Sequence, residues 1–300
     1  MATRKRKIIA IVGPTASGKS SLGVELALKF SGEIISADSR QIYKGLNLSS
    51  GKITAEETKG IPHHMLDLAD LRDEPLTLSE YLRLARLKIS EIFSAGKVPF
   101  IVGGTGLYVT SLLEGYQVPE VTPNPGLREQ LEVLSLEKLQ NMYSALDSEG
   151  FKIIDTSNPR RLIRAIEVVM ETKKPFFSQQ KKGEIDFNYL ILGISLSPEE
   201  LRERVHKNIR RNFEAGMLDE IKKLHDHGVA WERLESLGLW PKIMAQLAKG
   251  EIEKDFALAQ LENDTLDYAR RQLTWWRKRD VVWIKNNKEA KQKTENFLQY

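Results

Sequence analysis

The sequence predicts an α/β protein in which a parallel sheet is covered by helices, and two observations carry that prediction. Short apolar, β-branched runs alternate with segments of helical periodicity, the pattern of buried strands feeding covering helices. The first run, Lys7-Ile-Ile-Ala-Ile-Val12, stops at Gly13-Pro-Thr-Ala-Ser-Gly-Lys-Ser20, a complete G-x-x-x-x-G-K-[ST] set between a strand and a helix start. Together they point to a P-loop NTPase-like parallel sheet with ligands at the carboxyl ends of its strands.

The elements follow in order. After the loop, Ser20–Phe30 carries Leu22, Val24, Leu26, Ala27 and Phe30 close to a 3.6-residue period and stops at Ser31-Gly32. Glu33–Ser36 is the second strand, Ser79–Ala95 an amphipathic helix closed by Gly96, and Val98–Val102 a buried strand ending at Gly103-Gly104. Residues 1–118 thus form the first part of the core. The segment Pro119-Glu-Val-Thr-Pro-Asn-Pro-Gly126 breaks the alternation, and Leu127–Met170 is mostly helical. Residues 119–182 therefore read as a helical insertion. Tyr189–Ile194 returns to strand in the second part of the core, residues 183–285, which closes with a basic helix over Leu266–Arg279 and the strand Val281–Ile284. The Lys- and Asn-rich residues 286–300 read as a polar, frayed tail.

The 300 residues, 34.2 kDa, suit one large domain or a core with a smaller unit. With 41% hydrophobic and 29% charged residues, collagen-like and disordered classes are excluded. The lack of a long apolar run or cleavage pattern points to a cytoplasmic protein with no membrane partner. Zero cysteines exclude disulfides, thiolate nucleophiles and Cys-based zinc sites, so a metal would be held by oxygens. A net charge of +4 is too mild to name a polyanionic partner, but Arg270–Arg279 holds four arginines, one lysine and two tryptophans with no acid. Such a stretch offers phosphate neutralisation and stacking surface, or a core helix with snorkelling arginines.

In the loop, Gly13, Pro14, Thr15, Ala16, Ser17, Gly18, Lys19 and Ser20 supply what a di- or triphosphate needs. Backbone N–H groups turn inward, the helix N-terminus adds its positive end, Lys19 adds a point charge, and the Ser20 hydroxyl can ligate Mg²⁺. The motif admits ATP and does not state the chemistry; no Asn-Lys-x-Asp is present, which argues against a GTPase. Asp38 lies just past the second strand, at the same sheet edge, as a proton acceptor, a Mg²⁺-water ligand or a simple turn cap. Gly103-Gly-Thr-Gly106 allows close backbone approach and offers the Thr105 hydroxyl, or is a plain turn.

These residues resemble the tRNA dimethylallyltransferases, also called isopentenyltransferases. Gly13–Ser20 stands as GPTASGKS, Asp38–Gly45 as DSRQIYKG, Ile61–Asp67 as IPHHMLD, Val102–Tyr108 as VGGTGLY, Asn158–Glu167 as NPRRLIRAIE and Ala269–Arg277 as ARRQLTWWR. The resemblance implies transfer of a dimethylallyl group from dimethylallyl diphosphate to N6 of the adenosine 3′ to the anticodon, with Mg²⁺ as cofactor. It makes Asp38 the proton acceptor and Thr105 an aligning group. It implies tRNA contacts at Asp38, Ser39, Arg40, Gln41 and Thr105, at Arg128, Arg160, Arg161, Leu162, Ile163 and Arg164 in the insertion, and at Gln272, Thr274, Trp275 and Arg277. The tRNA anticodon stem-loop is the implied partner, bound by a monomer; Trp276, on the same helical stripe, reads as core packing.

The chain departs from the family pattern where Asn208 replaces an arginine thought to meet the diphosphate, with Arg210 and Arg211 close by. It also departs at Gly238-Leu-Trp-Pro-Lys242, where a tyrosine is lost and Pro241 disfavours continuous helix, and at Ser49-Ser50. Two other readings compete: a P-loop kinase for a small molecule or nucleotide, and a tRNA-binding relative without catalysis.

Overall fold

The computed structural model describes residues 6–119, 121–179 and 181–299. In chain order, the elements open with β1 (Arg6–Val12), α1 (Lys19–Lys29), β2 (Gly32–Ser36), β3 (His63–His64), α2 (Leu78–Ser94), β4 (Val98–Val102) and α3 (Gly106–Leu113). Next come β5 (Tyr116–Gln117), α4 (Pro125–Glu132), α5 (Leu136–Leu146), α6 (Ser148–Phe151), α7 (Pro159–Thr172) and β6 (Lys181–Lys182). The chain then runs through β7 (Phe187–Ile194), α8 (Pro198–Glu214), α9 (Met217–Asp226), α10 (Trp231–Ser236), α11 (Leu239–Ala248), α12 (Lys254–Arg277), β8 (Val282–Ile284) and α13 (Asn287–Gln299). Two compact units divide it: Met1–Leu113 with Ile185–Tyr300, and Glu114–Glu184.

In the larger unit, six strands lie in the order β3-β2-β4-β1-β7-β8, and every pairing is parallel. Ile8 through Val12 of β1 are wholly buried, which is why that run is continuously apolar rather than alternating. Ile9 and Ile11 pack with Leu22, Leu26, Ile34, Phe100 and Leu192, joining α1 to four strands in one core. Since β2, β4 and β1 are adjacent, the loops leaving their carboxyl ends emerge side by side. α2 starts at a capping box between Thr77 and Glu80 and buries Tyr81, Leu82, Ala85, Ile89 and Ile92.

The smaller unit has its own core, in which Leu131, Leu139 and Tyr143 meet Leu162, Ile163, Ile166 and Val169. α4 and α7 both open on Asn-Pro: Asn124 and Asn158 accept N–H bonds from Leu127 and Arg161, and each proline sits in the first turn, where its missing N–H costs nothing.

One expectation is corrected. Residues 287–299 are not a frayed tail but the helix α13, whose Ala290 and Thr294 are fully buried while Phe297 and Leu298 pack on the sheet core. Lys7 Nζ donates to the Phe297 carbonyl at 2.6 Å, and Glu25 pairs with Lys291 and Asn287. The Lys and Asn residues face outward on a helix whose apolar positions recur every third or fourth residue. The expected break in helix near Pro241 is present: α10 ends at Ser236, Gly238 is the N-cap of α11, and Pro241 falls in the first turn of α11, where a missing N–H costs nothing.

Candidate active site

The phosphate loop joins β1 to α1. Gly18 is the N-cap residue of α1 with φ of +92°, a conformation that favours glycine, and the turn is closed by the Ser17 N–H donating to the Pro14 carbonyl at 3.3 Å. Lys19 curls back on the loop and donates to the same carbonyl at 2.6 Å. Burial lowers its pKa to about 8, partly offset by the negative charge of Asp38, which places that carboxylate within electrostatic reach of the loop lysine.

Asp38 sits in the loop after β2, half-buried. Its Oδ1 accepts the Arg40 N–H at 2.9 Å, so the turn-capping role holds, and it fixes the carboxylate while leaving Oδ2 out of that turn. Thr105 braces this loop from β4: its Oγ1 accepts the Ser39 N–H at 3.1 Å and its N–H donates to the Ala37 carbonyl at 3.1 Å. Gln41 is held by the Ser36 hydroxyl, which donates to its Oε1 at 2.9 Å, and donates in turn to the Gly51 carbonyl at 3.1 Å. The charge of Asp38 is felt by three phenols, Tyr81, Tyr108 and Tyr268. Burial pushes Tyr268 and Tyr108 up to about 12 and Tyr81 well above its usual value, and the charge of Asp38 adds to each. Of these, the Tyr81 hydroxyl donates to the Ser36 carbonyl at 2.8 Å, at the end of β2.

The glycines of Gly103-Gly-Thr-Gly106 have three separate causes. A Cβ at Gly103 would strike the Ala37 carbonyl, one at Gly104 the Gln272 amide, and one at Gly106 the Trp275 indole. Two of those neighbours belong to α12. Gln272 is 6% exposed; its Oε1 accepts the Thr15 N–H at 2.8 Å and its Nε2 donates to the Gly104 carbonyl at 2.9 Å, latching the phosphate loop to the Thr105 loop. Trp275 lies under the Arg279 guanidinium, 4.0 Å from the ring centroid. Thr274 and Arg277 are exposed, whereas Trp276 is fully buried as core. One cation of the site lies outside every motif: Arg204 of α8, whose Nη1 donates to the Ser17 carbonyl at 2.9 Å.

The insertion residues separate into two kinds. Arg160 and Arg161 are exposed on α7. Leu162 and Ile163, expected at the RNA surface, are instead 0% and 6% exposed in the insertion core, because α7 turns these apolar positions inward. Arg128 and Arg164 converge on the buried Glu167, which accepts from Arg128 Nε and Nη2 at 2.9 Å each, from Arg164 Nη1 at 2.7 Å and from the Asn124 N–H at 2.7 Å. Burial would raise the Glu167 pKa, but the Arg128 and Arg164 hydrogen bonds outweigh it and hold the carboxyl below its usual value.

Among the described residues, no cluster of three or more His, Cys, Asp or Glu could hold a metal by itself. The oxygen donors at hand, the Ser20 hydroxyl at the start of α1 and the Asp38 carboxylate, fit a hard cation that arrives bound to phosphate oxygens.

A profile of the IPP transferase family matches residues 41–279. The chain is 36% identical over 293 residues to a tRNA dimethylallyltransferase of Bacillus pumilus, covering 95% of this chain and 91% of that protein. The enzyme of the same name from Bacillus subtilis is 36% identical over 292 residues, with 95% and 92% covered. The crystal structure of a tRNA isopentenylpyrophosphate transferase from Staphylococcus epidermidis superposes with a TM-score of 0.70 at 33% identity, covering 98% of this chain and 99% of that one. A eukaryotic dimethylallyltransferase acting on tRNA superposes with a TM-score of 0.80 at 27% identity, covering 93% and 74%.

Proposed function

The chain belongs to the IPP transferase family, and from that membership we propose that it transfers a dimethylallyl group from dimethylallyl diphosphate to N6 of the adenosine 3′ to the anticodon of a tRNA, releasing diphosphate. The observation that supports the reading is that the phosphate loop after β1 and the Asp38 loop after β2 leave one edge of the parallel sheet, with the Thr105 loop after β4 between them and bonded to the Asp38 loop. Lys19 and the loop amides hold the diphosphate and stabilise the charge that builds on it as the allylic C–O bond breaks. The electron pair of that bond leaves with diphosphate. N6 of adenine forms the new C–N bond and gives up a proton to Asp38, whose Oδ1 is anchored by Arg40. Thr105 and Ser39 keep that loop in place, so that attack is aligned. Mg²⁺ held by the diphosphate and Ser20 would supply further neutralisation of the leaving group. Exposed Arg160 and Arg161, with Thr274 and Arg277, are the side chains best suited to the phosphates of an anticodon stem-loop.

The test combines purified protein, Mg²⁺, dimethylallyl diphosphate and unmodified tRNA, followed by mass spectrometry of nucleosides. Absence of isopentenylated adenosine defeats the proposal, and phosphorylation of a small hydroxyl acceptor from ATP would replace it with the kinase reading. Asp38→Ala is expected to cut kcat by about 100-fold with tRNA affinity nearly unchanged; equal loss of both would make Asp38 structural.

A further inference from the structure

We propose that Arg204 is a positioning residue that aims and charges the diphosphate cradle from behind. Its place follows from the helix that carries it. α8 opens on a capping box between Ser197 and Glu200 and turns Leu201, Val205 and Ile209 into the core. Arg204 projects from another face, exposed, and reaches the loop through its bond to the Ser17 carbonyl. Its Nη1 also stands 3.7 Å from where a Cβ on Gly18 would be.

That contact matters because the Ser17 carbonyl and the Gly18 N–H belong to one peptide unit. In a trans unit the two point in opposite directions, and among the described residues no peptide bond is cis. Holding the carbonyl toward Arg204 turns the Gly18 N–H away from it, to the side where a loop of this kind binds phosphate oxygen. A guanidinium on the carbonyl end polarises the unit and makes the N–H a stronger donor. Among the described residues Arg204 is in no salt bridge; its neighbour Glu203, which feels its charge, is itself bridged to Lys207 at 2.6 Å. One turn further along α8, position 208 offers no second guanidinium. Asn208 is uncharged and engaged by Asn212, whose Nδ2 donates to its carbonyl at 2.9 Å, and Arg210 Nε donates to His206 Nε2 at 2.9 Å.

The assignment deepens the transferase reading and rests on it for the identity of the anion. The test titrates the full chain, with Mg²⁺, against inorganic pyrophosphate by calorimetry, for the wild type, Arg204→Met and Arg204→Lys, and measures transfer kinetics and tRNA affinity beside it. Arg204→Met is expected to weaken pyrophosphate about tenfold or more, the loss of one charge-assisted hydrogen bond, and to raise KM for dimethylallyl diphosphate in step. Arg204→Lys should recover part of that loss, and tRNA affinity should not move. Should Arg204→Met melt below the assay temperature, Arg204→Lys alone decides, by an intermediate weakening or none. Pyrophosphate binding equal to wild type in both variants overturns the role of Arg204 and leaves the transferase reading intact. A parallel fall in tRNA affinity and melting temperature makes Arg204 merely structural and also overturns it. Failure of the wild type to bind pyrophosphate overturns both.

Discussion

Replacing Gln272 with leucine separates two roles that one side chain could have. Leucine fills a similar volume but can neither accept from the Thr15 N–H nor donate to the Gly104 carbonyl, bonds of 2.8 and 2.9 Å in the native protein. The Gly104 bond is buried and the Thr15 bond partly so, and a buried polar group left unpaired costs about 1–3 kcal/mol. With the more exposed Thr15 amide at the low end, Gln272→Leu should destabilise the larger unit by about 2–4 kcal/mol, a fall in Tm on the order of 5–10 °C. The latch joins the loop proposed to hold diphosphate to the loop that braces Asp38, so kcat should fall more than tRNA affinity. Thermal unfolding, transfer kinetics and filter binding of tRNA measure the three quantities. A variant within about 0.5 kcal/mol of wild type that binds tRNA several-fold more weakly would refute this and make Gln272 a tRNA contact.

The remaining predictions follow from single features. The lowered pKa of Lys19 means that the free protein loses its loop ammonium as pH rises through about 8. Pyrophosphate affinity should therefore weaken from pH 7 to 9.5 in calorimetry, and binding near pH 8 should take up protons, as Lys19→Met should not. The same depressed pKa makes the Lys19 contribution to stability rise between about 8 and its unfolded value near 10.5, because the unfolded chain then binds more protons. Glu167→Ala leaves Arg128 and Arg164 without their shared carboxylate and should cost the insertion about 3 kcal/mol, read as faster hydrogen exchange across 125–172 with the larger unit unchanged. Ala290→Asp buries a charge where α13 meets the core and should lower Tm by several degrees; an unchanged melt would mean that α13 contributes nothing to the core.

What could be read from the chain alone was what is encoded locally. The β-branched run before Gly13 and the periodicity of Leu22, Val24 and Leu26 give β1 and α1 to within a residue. The same local rule was available for Leu162, Ile166 and Val169, which recur at helical spacing as an inward face, but carrying a motif over as a block obscured it. In 287–299 the count of Lys and Asn outweighed the spacing of Ala290, Thr294 and Phe297. The two-residue strand His63–His64 is too short to leave a period. Arg204, and the latch made by Gln272, which the sequence offered only as a tRNA contact, were beyond such reasoning for another cause: both act on residues far along the chain, and no local pattern announces which carbonyl or amide a side chain will find.

The bond between Thr15 and Gln272 spans 257 positions. A ribosome adding roughly 5–20 residues per second therefore displays the complete phosphate motif for on the order of 10–50 s before its fastening can be made. During that interval the nascent chain carries a recognisable anion loop without the polypeptide that steadies it, and β7, which flanks the central strand, arrives only in the second half of synthesis. The fastening of the phosphate motif is thus deferred until α12 has been made, so a product ended before Gln272 would bear the signature of the family and lack the bond that steadies it.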